Sequence, residues 1–352
     1  MNVKGETFFW KKKEFISFIL SILVLFIHSY FAQDIVSSSF ISMLNHKTSY
    51  FFSRSITQFA VPMFFMLSGI TFFKEYDNKK YFNKIKSRIH TLVIPYLLWN
   101  TVWMIWEILG SYSFSASGEM YPLTLASILK GILFYGCNTP FWFIFDIIVF
   151  SFAAPVIFLI VRNKYIGIAS VFLLSIVSLF GIHIPSDLFY YPMSIVFYLS
   201  GAIIGYHFFD YASRKSSKPI QIASIALISA YILAKNIVPQ QLHISNYLIE
   251  TITYTIAAFA LWSIVDIFIE QIKPRAIYRR SFAIYAMHLN VAIIILKILS
   301  FCMPQNEWLE IPKFIIMVVF TLVIINYVCA FGEKYLPKTY SIFMGNRIKT
   351  RR

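Results

Sequence analysis

The sequence predicts an all-α, polytopic membrane bundle of about ten transmembrane helices with both termini cytoplasmic. Three observations lead there. Hydrophobic residues fill 58% of 352 positions and charged residues only 13%, against roughly 25% charged in a soluble domain. Apolar runs of about 17–25 residues, the length that crosses a bilayer, recur to the C-terminus. Basic residues also fall in alternate connections, as the positive-inside rule requires.

The first apolar run, Phe15–Ala32, follows Lys11-Lys12-Lys13. It is long for the core of a signal peptide, Tyr30-Phe31-Ala32 is a poor cleavage site, and further runs follow, so it reads as the first span. His28 lies deep inside it. Hydrocarbon offers an imidazole no partner, so a titratable group at that depth is paired, hydrated or used.

Spans are predicted near 15–33, 56–73, 89–110, 140–161, 165–182, 187–208, 219–237, 246–270, 281–301 and 312–331. With the N-terminus inside, the cytoplasmic segments hold 25 of the 31 basic residues. Lys47, Arg54, Lys130, Lys235 and Lys313 fall outside, and Lys297 within span nine. The span number is then even. Leu123–Tyr135 is an extracytoplasmic half-helix or re-entrant piece, because counting it as a span would invert everything after it. With no repeat and no charged linker, residues 1–352 read as one membrane domain with cytoplasmic tails at 1–14 and 333–352.

The net charge of +15 does not point to nucleic acid. Topology and attraction to anionic lipid head groups account for it, and basic inner loops would also receive a polyanionic cytoplasmic substrate. Cys137, Cys302 and Cys329 have neither metal-type spacing nor an evident disulfide pairing, and no metal site is expected.

In span two, Gln58 to Phe73, Pro62 frees a carbonyl, and Ser68-Gly69 permits close approach by another helix or a ligand. Apolar positions 81, 82, 85, 89, 92 and 93 share one helical face, with Lys84, Lys86 and Arg88 off it. This is an amphipathic surface helix turning into span three, which Pro95 interrupts. Arg88 either snorkels to head groups or grips phosphate at the inner mouth, a task its planar fork suits. Asp146, in span four, is a buried carboxylate that could orient an imidazole.

The order of these pieces resembles the membrane acyltransferase 3 family over most of the chain. The resemblance rests on His28, on Pro62 with Phe65-Met66-Leu67-Ser68-Gly69, and on Lys84-Ile85-Lys86-Ser87-Arg88 leading to Pro95-Tyr96 and Trp99. Pro140-Phe141-Trp142, Phe197 to Gly201 with Gly205, and Ser281 to His288 with Tyr285 complete it. It implies transfer of an acetyl or other short acyl group from a cytoplasmic acyl-CoA, a donor substrate rather than a bound cofactor. The acceptor it implies is a hydroxyl of a cell-envelope or exported glycan, and the location a bacterial inner membrane. Two positions depart from the family pattern. Ser17 stands eleven residues before His28, where a basic residue is usual, and Thr91 stands where a second arginine often follows Arg88.

Acyl transfer to a sugar hydroxyl needs a base, and a neutral buried imidazole supplies one. His28 is the expected base, with His288 positioning the thioester or supporting His28. Helical rise places His28 about 20 Å from Glu14 and His288 about 13 Å from Arg279, so His288 is expected nearer the donor's entrance. Acyl-CoA would be gripped by Arg88, Lys84, Lys86, Arg279 and Arg280. Ser68, Tyr96, Trp142 and Tyr285 are candidates for oxyanion or substrate contacts. No Gly-x-Ser-x-Gly motif marks a serine nucleophile. The alternative is a transporter or flippase for a glycan or lipid-linked saccharide, with aromatic residues at 19% stacking on sugars.

Overall fold

In lipid every backbone polar group must be satisfied internally, so so apolar a chain is driven to helix. The computed structural model describes residues 3–29, 39–114, 122–177, 193–237 and 247–346, all of them helix, turn or irregular, with no strand. The predicted ends of spans one, five, six and eight, His183, His243 and the basic tail at 347–352 lie outside the described residues.

The helices are α1 (Val3–Ile27), α2 (Phe40–Tyr50), α3 (Ala60–Phe73), α4 (Tyr81–Arg88), α5 (Ile94–Phe114), α6 (Leu125–Leu133), α7 (Trp142–Phe152) and α8 (Ala154–Val161). They continue with α9 (Lys164–Val177), α10 (Ser194–His207), α11 (Phe209–Ala212), α12 (Lys218–Ile237), α13 (Tyr247–Val265), α14 (Ser281–Cys302), α15 (Glu307–Tyr335) and α16 (Pro337–Phe343). Each of the ten predicted segments contains helix. By length and composition, however, five stretches among the described residues can cross a membrane: Phe40–Phe73, Asn78–Gly110, Lys218–Asn236, Ala276–Cys302 and Glu307–Tyr335. A sixth is Thr139–Phe152 with Ala154–Val161, bent by 72°, where Pro155 begins a new helix. Lys164–Ile176, Ser194–His207 and Ile249–Val265 are apolar but shorter, and α1 carries four lysines and two glutamates. Among the described residues five or six stretches therefore meet this criterion, and the expected ten are not confirmed.

Two of the locally predicted pieces form helix. The predicted half-helix is α6, nine residues long and too short to span. Its last carbonyls are caught by α5: Tyr96 donates to Leu133 O at 2.9 Å and Asn100 to Ile132 O at 3.1 Å. The predicted surface helix is α4, which a π-helical turn over Ile89–Val93 joins to α5 within the one stretch Asn78–Gly110, just before Pro95, which has no N–H to give. None of the three cysteines forms a disulfide.

The closest helix contact joins α3 to α10, and glycine makes it possible. A Cβ on Gly69 would strike the Tyr198 carbonyl, and one on Gly201 or Gly205 would strike the Met66 or Ile70 carbonyl. This is the close approach that Ser68-Gly69 implied. Around it, α1 packs on α3 and α14, α14 on α15, and α12 on α13, which also touches α3.

The starts of α1 and α14 and the ends of α3, α13 and α15 gather at one basic end. Lys12 and Asp266, both fully buried, pair at 2.6 Å. Lys74 pairs with Glu6, and that hydrogen bond holds the Glu6 carboxyl below its ordinary range. Lys84 donates to Phe72 O at 2.5 Å and Lys74 O at 3.2 Å, where the end of α3 favours a cation.

Candidate active site

Ser21 Oγ donates to Ser17 O at 2.8 Å and to Ser281 O at 3.0 Å, fixing α1 beside the start of α14. The two helices run in the same direction, so residues two turns beyond each serine stand level, about 10 Å further along. Those residues are His28 and His288. Their ring centres are 5.2 Å apart at an interplanar angle of 45°. The two histidines therefore stand at one depth, not at the two depths expected from the sequence. Ser281 is level with Ser21, not with Glu14.

The two rings differ in surroundings. His288 is completely buried and its Nδ1 lies 2.8 Å from Tyr285 O. A carbonyl only accepts, so Nδ1 carries the proton and Nε2 keeps its lone pair. Among the described residues that Nε2 has no hydrogen-bond partner. His28 follows the last residue of α1, its N–H still bonded to Val24 O at 3.3 Å, and is the more solvent-accessible residue of the pair. It sits at the helix end rather than deep within the span.

From the basic end a cleft of about 420 Å³ runs between α1, α3, α4, α7 and α14. Lys13 and Arg88 line it with Ser17, Ser68, Thr71, Ser87, Thr91 and Ser281, above an apolar wall of Phe64, Leu67 and Phe143. Tyr285 closes that wall; its ring lies 5.8 Å from the His288 ring. Stacking on Phe141 at 5.9 Å and a hydrogen bond to the Pro140 carbonyl hold Tyr285 in place. Beside the cleft, Gly345 (φ +64°) lets the turn after α16 press against the Thr91 carbonyl, a conformation and an approach that favour glycine.

Of the predicted site residues, His28 and His288 come together, and Arg88, Ser68 and Tyr285 line the cleft. The others do not line it. Lys84 caps α3, while Lys86 and Arg279 are exposed. Arg280 is buried and donates to Glu333 Oε2 at 2.6 Å and Asn326 O at 3.0 Å, a lock between α14 and α15. The Tyr96 hydroxyl is committed to Leu133 O, and Trp142 packs on Phe65 and Phe143. Asp146 is buried, has Ser194 as its polar neighbour and bonds neither histidine.

Sequence reasoning missed Lys13. It stands one turn before Ser17, and the spacing Lys13, Ser17, Ser21, His28 is a polar stripe on one helical face. That stripe was the signal available for it.

A bundle of apolar helices with a polar cleft leading from its basic end toward a histidine pair defines a multi-pass membrane protein with a built site. A comparison with protein families matches residues 15–328 to an acyltransferase domain, and the chain belongs to the acyltransferase 3 family. It is a membrane acyltransferase. No curated protein and no solved structure matches it.

Proposed function

We propose that the protein moves an acetyl or other short acyl group from a cytoplasmic acyl-CoA to a hydroxyl of a cell-envelope or exported glycan, in a bacterial inner membrane. The observation that carries this reading is the contact between His28 and His288 beyond the cleft that holds Lys13 and Arg88.

The basic end is the cytoplasmic one, by the positive-inside rule. Donor phosphates rest on Arg88 and Lys13, and the thiol-bearing arm follows the serine and threonine lining toward Tyr285. His288, its proton fixed on Nδ1 and its ring against that of His28, orients the His28 ring. A nitrogen of His28 then accepts a proton from the attacking hydroxyl. As the hydroxyl oxygen bonds the thioester carbon and the C–S bond breaks, the proton on His28 passes to the departing CoA thiolate. No covalent enzyme intermediate is required. The exposed side of His28 suits an acceptor arriving from the far face.

The test is alkali-labile O-acyl content of surface glycans in cells carrying wild type, His28→Ala or neither, at matched membrane levels. Acylation only with wild type supports transfer. Equal acylation with His28→Ala removes the proposed base, and a change in exported glycan without acylation favours the transporter.

A further inference from the structure

Behind α3 lies a second, larger cavity of about 700 Å³ that the acyl-transfer chemistry does not use. Its walls are Met63, Met66 and Ile70 of α3, Ile204 of α10 and Ala258 and Trp262 of α13, almost wholly apolar. Polar groups gather only at the basic end, where the segment between α11 and α12 brings Arg214, Lys215, Ser216 and Ser217 to the mouth. From Asp266 to Ala258 along α13, the cavity extends about 12 Å from that mouth. Phe259 and Ile220 line it and are also about half exposed, so its wall continues into the bundle's apolar outer surface.

The charges at the mouth do not cancel. Asp266 is matched by Lys12 at 2.6 Å and also accepts from Ser216 N at 2.9 Å and Ser216 Oγ at 2.8 Å. Glu270 is matched by Lys215 at 2.6 Å. Arg214 has no carboxylate within ion-pair distance among the described residues. Its guanidinium lies 5.6 Å from the Tyr211 ring centre, which holds it at the rim. The N-terminus of α12 begins beside it at Lys218, adding partial positive charge. An unmatched cation above an apolar cavity in the membrane calls for a ligand with one anionic group and a hydrocarbon tail.

We propose that this cavity binds an anionic phospholipid, its phosphate on Arg214 beside Ser217 and one acyl chain lying between α3, α12 and α13. Leu67 lines both this cavity and the cleft, so the bound chain braces the cleft's α3 wall. The proposal does not depend on the acyl-transfer reading.

The test uses delipidated full-length protein in neutral detergent, given phosphatidylglycerol or phosphatidylcholine, with retained lipid counted by native mass spectrometry. Wild type should retain one phosphatidylglycerol per chain and hold phosphatidylcholine, whose phosphate carries its own trimethylammonium counter-charge beside Arg214, about tenfold more weakly. Arg214→Gln, at an exposed position, should lose about tenfold in phosphatidylglycerol retention, and Ala258→Phe should exclude the chain. Glycerophosphoglycerol, the head group without tails, should not compete. Equal retention of the two lipids, full retention by Arg214→Gln, or displacement by glycerophosphoglycerol would each overturn the proposal. Should Ala258→Phe fail to fold, the lipid comparison and Arg214→Gln still decide it.

Discussion

His28 and His288 each stand two helical turns beyond one member of a bonded serine pair, Ser21 and Ser281, and their rings meet at 5.2 Å. A single side-chain hydrogen bond thereby sets the register of α1 against α14. His288 is further oriented by the Tyr285 carbonyl, so the less buried ring is backed by a fixed one. This arrangement suits a base that must meet an incoming hydroxyl in one tautomer.

On the proposed mechanism His288 acts through His28, so His288→Phe should lower kcat by about 10–100-fold, the scale of losing a partner that orients a functional imidazole. KM for acyl-CoA should change little. Steady-state kinetics on purified protein checks this, and an equal loss in 1/KM would place His288 on the donor instead.

Arg88 and Arg280 should separate cleanly. Arg88→Ala removes a cation from the cleft and should raise KM for acyl-CoA about tenfold. Arg280→Ala removes the tie to Glu333 and Asn326. With Glu333 partly exposed, it should cost about 1–3 kcal/mol of stability, read as a lower Tm, without a specific donor effect.

Ser17 and Thr91 both line the cleft beside Lys13 and Arg88. Ser17→Lys should therefore add a second cation one turn above Lys13 and lower KM for acyl-CoA several-fold, more so at low salt. An unchanged KM across ionic strength would show that donor phosphates do not reach this turn.

Gly201 meets the Met66 backbone with no room for a side chain. Gly201→Val should force α3 and α10 apart at a cost of about 1–3 kcal/mol or more. The measurement is the yield and Tm of detergent-solubilised protein, against Gly110→Val, where a Cβ meets nothing within 4 Å.

Much of this architecture was legible in the sequence because it depends on local pattern. Apolar period and length marked the helices, Ser68-Gly69 marked a close contact, and a polar residue in an apolar run marked His28. Charges were less legible, because a cation's partner is set by tertiary placement. Nothing near Arg280 announces Glu333, and nothing near Lys84 announces the open carbonyls ending α3. Lys12, expected in the cytoplasmic tail 1–14, is buried against Asp266 from the other half of the chain. The tyrosine hydroxyls show the same limit. Both are committed to carbonyls, Tyr96 to Leu133 of α6 and Tyr285 to Pro140, and only the Tyr285 ring borders the cleft.

The most direct test is release of free CoA from acetyl-CoA by purified protein in liposomes supplied with a glycan acceptor, comparing wild type with His28→Ala. Removal of a general base predicts a fall in kcat of about 10²–10⁴-fold, with the variant matching wild type in Tm and in acetyl-CoA binding. Acceptor-dependent release that persists at the wild-type rate in His28→Ala would contradict the assignment of His28 as the base.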